Sequence, residues 1–145
     1  FPNYNVYRTK DNRYVTVGCL EEKFWREFCH VLGRPDLIPA LEKEEDYAAL
    51  TEEIGRVIAT RTLAEWVAAA EEHDACLEPV LRFDEALALE QTKADEMVLE
   101  IDDPRYGTYR QMGFVPKFSA TPCAVYRPAP ALGEHTDEIL GALRT

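Results

Sequence analysis

Two adjacent carboxylates, Glu21 and Glu22, are the residues best placed for chemistry. They follow Gly18-Cys19-Leu20, between strand-forming residues and a helical stretch, where a carboxylate can project into a cleft. The same place suits a helix-start charge, since acidic side chains complement the positive end of the helix dipole. Other reactive residue types are scattered. Cys19, Cys29, Cys76 and Cys123 contain no C-x-x-C pair, and His30, His73 and His135 do not fall at zinc-ligand spacing. No metal site is expected, and the thiols read as reduced groups of a cytoplasmic protein. His30 reads as a structural or surface histidine, and His73-Asp74 as a partner for a helix C-terminus. Glu134-His135 reads as an exposed cap completed by Thr136. Tyr106, Gly107 and Tyr109 read as turn and packing residues, with a binding surface as the other reading. No G-x-S-x-G elbow, Walker-type loop or G-x-G-x-x-G fingerprint is present.

The elements around these residues follow from their spacing. Tyr4–Thr9 and Tyr14–Val17 are rich in aromatic and β-branched residues, and Lys10-Asp11-Asn12-Arg13 between them predicts a β-hairpin. Phe24, Phe28 and Leu32, widened by Trp25, predict a helix from about Glu21 to Leu32, stopped by Gly33-Arg34-Pro35. Asp36-Leu37-Ile38-Pro39 reads as a linker. Tyr47, Leu50, Ile54, Val57 and Ile58 share one face of a helix spanning about 42–60, whose acidic start suits the dipole. Thr62-Leu63-Ala64-Glu65 is a capping box opening a short helix with Trp66, Val67 and Ala70. Pro79 keeps Leu77–Val80 extended. Asp84 is expected to cap a helix through Leu87 and Leu89, and Met97–Ile101 alternates like a half-buried strand. Asp102-Asp103-Pro104 and Tyr106-Gly107 read as turns. Four prolines punctuate 116–130, and a short helix is expected over Thr136–Leu143, too short to be stable without a surface to lie on. The fold class is α+β: an N-terminal hairpin in a small antiparallel sheet packed on several helices, then an extended Pro-rich tail ending in a helix.

The chain has 145 residues, of which 46% are hydrophobic and 30% charged, enough for one ordinary domain with its own core. No apolar stretch approaches the roughly 20 residues that span a bilayer. A formal charge of −11 repels nucleic acid and other phosphate-rich ligands, and the basic cluster Arg8, Lys10, Arg13 is interrupted by Asp11. Groups that bind an anionic coenzyme are therefore expected elsewhere. The chain begins at Phe1 without an initiator Met and is expected to be a portion of a longer protein.

Several segments together resemble CoA-transferase family III, which includes carnitine and formyl CoA-transferases and α-methylacyl-CoA racemase. They are Tyr4-Asn5-Val6-Tyr7-Arg8-Thr9 with Asp11, Tyr14-Val15-x-Val17-Gly18, Phe24-Trp25 and Leu32-Gly33-Arg34-Pro35-Asp36-Leu37. Glu65-Trp66, Glu78-Pro79-Val80, Gly113-Phe114-Val115-Pro116 and Phe118-Ser119-x-Thr121-Pro122 continue the likeness in order. The ending, Pro128-Ala129-Pro130-x-Leu132-Gly133-Glu134-His135-Thr136-Asp137-Glu138-Ile139-Leu140, is the most specific. Asn12 stands where the family usually has Gly, Glu22 replaces a common Pro, and Leu77-Glu78 replaces a more apolar pair.

The resemblance implies a subunit with a large coenzyme-binding Rossmann-like domain, a small α+β domain over the active site, and a tail returning to the large domain, with subunits interlocked as dimers. Residues 1–124 would be the small domain and 125–145 the tail. The nucleophile or acid-base pair of such enzymes would lie in the N-terminal portion. Glu21 matches the small-domain glutamate that in the racemase branch approaches the catalytic histidine. A carboxylate there would orient the imidazole and support its charged form. The implied substrate is a coenzyme A thioester, with no tightly bound cofactor, and the implied partner is the large domain or a second copy. The isolated chain is expected to be inactive. The competing reading is a free-standing binding or assembly module derived from that domain.

Overall fold

Alternating aromatic and β-branched residues build β1 (Tyr4–Arg8) and β2 (Tyr14–Gly18), which pair antiparallel with Tyr7 opposite Val15. The computed structural model describes residues 1–143, and places them in two compact units divided after Leu81. In the first unit Asn12 takes the left-handed turn at φ 60°, a conformation that Asn tolerates. β3 (Leu77–Pro79) joins the other edge of β2, giving the order β1-β2-β3. Tyr7, Val15, Val17 and Leu77 turn inward, while Tyr4, Val6, Tyr14 and Thr16 stay exposed on the opposite face.

Three helices cover the inner face. Helix α1 (Glu22–Leu32) buries Trp25, Phe28, Cys29, Val31 and Leu32, with Phe24 only half-buried beneath the Lys23 ammonium. Gly33 ends it at φ 71°, with the Gly33 and Arg34 amides donating to the His30 and Cys29 carbonyls in a Schellman arrangement. The expected linker is instead a 3-10 helix, Pro35–Glu42: Pro35 is preorganised for its first turn, Leu37 is buried, and Trp25 Nε1 donates to Ile38 O at 2.9 Å. The helix expected from residue 42 begins later, because Lys43 is extended and Glu44–Asp46 form a separate 3-10 turn. Tyr47 then opens α2 (Tyr47–Ile58), its hydroxyl donating to Leu41 O at 3.0 Å. Arg34 bridges Asp36 at 2.6 Å and Glu53 on α2 at 2.7 Å. The capping box forms at the start of α3 (Leu63–Ala70): Thr62 N donates to Glu65 Oε2 at 2.7 Å and Glu65 N to Thr62 Oγ1 at 3.3 Å. Asp11 adds a third acceptor, receiving Leu63 N at 3.1 Å. Trp66 is fully buried and donates to Ile58 O at 2.8 Å.

The second unit begins with α4 (Phe83–Ala88) and α5 (Glu90–Ala94). Asp84 does not cap α4: it sits in the first turn and pairs with Arg82, and Glu85 Oε2 receives the Arg82 amide at 2.8 Å. The strand expected at Met97–Ile101 is β4 (Val98–Asp103). It pairs antiparallel with β5 (Gly107–Met112), a strand not legible in the sequence. Asp102 and Asp103, expected in a turn, belong to β4. Gly113 is required where it stands, since a Cβ there would lie 2.3 Å from Glu96 O. Helix α6 spans Thr136–Ala142, preceded by a chain without regular structure; His135 rather than Thr136 occupies its cap, with no side-chain cap bond.

Candidate functional site

Glu21 lies at the junction of β2 and α1, and the sequence makes that junction rigid. Gly18 ends the sheet, opposite Tyr4, with its amide on Cys76 O at 3.0 Å. The Leu20 amide turns back onto Gly18 O at 3.1 Å. Cys19, between them, is fully buried and uses all its polar groups. Its N–H donates to Asn3 O at 2.8 Å, its carbonyl accepts from Asn3 Nδ2 at 3.0 Å, and its thiol donates to Ala75 O at 2.7 Å. Burial pushes the Cys19 thiol up to about 12, so it remains a neutral donor at physiological pH.

Glu21 itself is extended (φ −84°, ψ 146°), and its carbonyl receives the Phe24 and Trp25 amides at 3.1 Å each. Its side chain is exposed and makes no cap bond, so the carboxylate projects outward while the backbone holds the helix start. Leu20 beside it is exposed, and the charged groups of Lys23, Asp74 and Glu78 act with Glu21 on the nearby Cys76 thiol. Such an arrangement presents an exposed anionic acceptor at a junction whose backbone is held. It can orient and charge-stabilise a proton-carrying group brought to it, but supplies no nucleophile of its own.

Half-buried Cys76 belongs to the same neighbourhood. Its backbone is left-handed at φ 41°, and its thiol is shifted up by burial, then by Asp74 and Glu21. Neither the Cys76 conformation nor the Asn3 contact was read from the sequence. An Asn in a strand approach has no local signature pointing 16 residues ahead.

The other candidate residues fall elsewhere. Glu22 forms an exposed pair with Arg26 at 2.8 Å, one helical turn on. His30 is exposed on α1. His73 lies just beyond α3, where its amide donates to Ala70 O at 2.9 Å, and its Nδ1 lies 2.8 Å from Glu27 Oε2 on α1. The four cysteines are free thiols, Cys123 exposed. Among the described residues no group of His, Cys, Asp or Glu could hold a metal ion, and no helix is long and apolar enough to cross a membrane.

In the second unit, Tyr106 is exposed beside Arg105 and Tyr109 is half-buried on β5. A cavity of about 590 Å³ is lined by Val98, Ile101, Phe114 and Phe118, with Lys93 and Lys117 also at its walls. Buried Asp103 binds the Arg105 guanidinium at 3.0 Å, and that guanidinium reaches Ala129 O and Glu134. Glu134 also accepts the Ala131 amide at 2.6 Å. Glu134 therefore fastens the tail.

The sequence profile of CoA-transferase family III matches residues 1–136. Mouse alpha-methylacyl-CoA racemase is 30% identical over 140 residues, covering 96% of this chain and 36% of the racemase. The formyl-CoA:oxalate CoA-transferase of Rhodopseudomonas palustris (strain BisB18) is 31% identical over 144 residues, covering 92% of this chain and 32% of the transferase. The chain thus spans about a third of the length of these curated relatives. A crystal structure of a variant of Rv3272 from Mycobacterium tuberculosis superposes with a TM-score of 0.71 at 22% identity, over 94% of this chain and 39% of that one. At that identity the likeness bears on the fold alone.

Proposed function

The chain belongs to CoA-transferase family III, and from that premise we propose that it forms the smaller, cleft-covering part of an acyl-CoA-processing enzyme. Residues 1–124 cover the cleft, and residues 125–145 return to the coenzyme-binding part. That part carries the groups that attack or deprotonate the thioester, and two such assemblies interlock as a dimer. The observation that carries the proposal is coverage: 96% of the chain aligns with 36% of a racemase, so nearly every residue here falls within one portion of that enzyme. The net charge of −11 supports the same division, since an anionic coenzyme needs basic groups that this chain does not concentrate.

Within the site, Glu21 orients an imidazole brought to it across the cleft and stabilises its protonated form. The racemase reading is favoured over transfer because Gly18-Cys19-Leu20-Glu21 offers a carboxylate where a glycine-rich loop would offer only backbone. The test is to assay the chain alone and with the coenzyme-binding part of a family III enzyme. Deuterium incorporation at the α-carbon of a 2-methylacyl-CoA reads the racemase step. CoA passage to a free carboxylic acid reads transfer. The expected result is no turnover by the chain alone, and α-proton exchange in the combination that falls by about two orders of magnitude in Glu21→Gln. Turnover by the isolated chain would overturn the proposal.

A further inference from the structure

Asn3 is one of the few polar residues the fold buries among those described, at 9% exposure. Its side chain reaches across to the loop that ends at Glu21, donating from Nδ2 to Cys19 O at 3.0 Å. Its own carbonyl receives the Cys19 amide at 2.8 Å. One residue therefore occupies both backbone polar groups of Cys19, while Ala75 O takes the thiol at 2.7 Å. With Cys19 tethered in three directions and Gly18 fastened to Cys76 O at 3.0 Å, the strand end is held before the chain reaches Leu20 and Glu21. The Asn3 segment is itself braced: Pro2 is buried, and Tyr7 donates to Pro2 O at 2.6 Å.

We propose that Asn3 is the positioning residue for Glu21, acting through Cys19 to fix the direction in which that carboxylate leaves the strand–helix junction. The inference rests on the role proposed above for Glu21 and specifies how that role is held in place. A carboxylate that must orient another group loses effectiveness when its own backbone wanders, because misplacement by an ångström is costly in a catalytic geometry. Asn suits the task since its amide donates to a carbonyl without bringing a charge into a buried site. Aspartate has nearly the same shape but presents only acceptors when ionised, so Asn3→Asp removes the donor and sets a carboxylate against Cys19 O.

Two measurements test this. Amide hydrogen exchange on the whole chain, in Asn3→Ala and Asn3→Asp, is expected to quicken about tenfold at Cys19, Phe24 and Trp25, the loss of one net hydrogen bond. Exchange at Ile54 and Trp66 should be unchanged, which shows that the variants fold. Unchanged exchange at Cys19 in both variants overturns the clasp. In the reconstituted enzyme, Asn3→Asp is expected to lower turnover about tenfold at constant KM, and to have no further effect in a Glu21→Gln background. Additive losses would show that Asn3 acts elsewhere and overturn the inference. Faster exchange combined with full activity in Glu21→Gln would overturn the role of Glu21 itself, leaving Asn3 a structural clasp without a catalytic purpose.

Discussion

In the unit formed by Phe1–Leu81, three strands and three helices close over Trp25, Phe28, Ile54, Ile58 and Trp66, none more than 1% exposed. From Arg82 onward the described residues bury one large hydrophobic, Ile101, and leave Phe83, Val115, Phe118, Tyr126, Leu132 and Ile139 in solvent. Of the two regions, only the first encloses a core. The second is held by polar fastenings: the Asp103–Arg105–Glu134 network, the Arg127–Glu138 pair and the ladder of a two-stranded sheet. A hairpin of that size is marginal in water without a surface behind it. The contrast falls at Leu81, inside the 1–124 cover proposed above, so that cover would combine a part with its own core and a part, 82–124, that lacks one.

The sharpest way to break this comparison is to delete one aromatic from each region. Trp66→Ala removes a fully buried side chain and its bond to Ile58 O, and should destabilise the first unit by about 3–5 kcal/mol. Phe118→Ala acts on a side chain that is 56% exposed and should cost no more than about 0.5 kcal/mol. Urea unfolding followed by circular dichroism checks both. Equal losses would mean that Phe118 is covered in solution and that the contrast does not hold.

Hydrogen exchange sharpens the contrast without mutation. Amides of Phe28 and Ile54 should open only with the whole first unit. Those of β4 and β5 should open locally, roughly a hundredfold faster. Adding the coenzyme-binding part should slow the second set and leave the first unchanged.

The same contrast explains what the sequence could reveal. Where a periodic apolar face meets its own core, the pattern is readable: the hairpin, α1, the face of α2 and the Thr62–Glu65 box all follow from local spacing. Where no core selects one face, it is not. Gly107-Thr108-Tyr109-Arg110-Gln111-Met112 has no inward side to alternate, so β5 leaves only a weak trace. Thr136 looks like a cap, yet its backbone is already helical and His135 takes the position. Glu21 was legible as a charge at a strand–helix junction. The Asn3 clasp was not, because it joins residues 16 apart that no periodicity relates.

A smaller effect comes from the capping box, which stabilises the first unit by a local device on top of its core. Thr62→Ala removes the acceptor for Glu65 N and should cost about 1 kcal/mol. The thermal midpoint of the first unit reports it. A negligible shift would mean that Asp11, which already receives the Leu63 amide, satisfies that helix start alone.

The mildest test concerns acid. Each region contains a carboxylate that fastens separate parts of its chain. Asp11 is held below the usual carboxylate range by its bond from Thr9, and Asp103 by the Arg105 guanidinium. A carboxylate whose folded pKa lies below its unfolded value, near 3.9, contributes stability that is fully present above that value. The contribution fades as pH falls through the lowered folded pKa. Both fastenings therefore hold at neutral pH and weaken in acid, but with different consequences. Releasing Asp11 frees one turn beside an intact core. Releasing Asp103 frees Arg105, and with it the contacts to Ala129 O and Glu134 that tie the tail to the β4–β5 turn. Between about pH 5 and pH 2, the NMR signals of 129–135 should lose dispersion while those of Ile54 and Trp66 persist. Asp103→Asn, which cannot ionise, should show the loosened tail already at pH 7 and little further change in acid. A tail insensitive both to acid and to that substitution would mean that something other than the buried ion pair holds it.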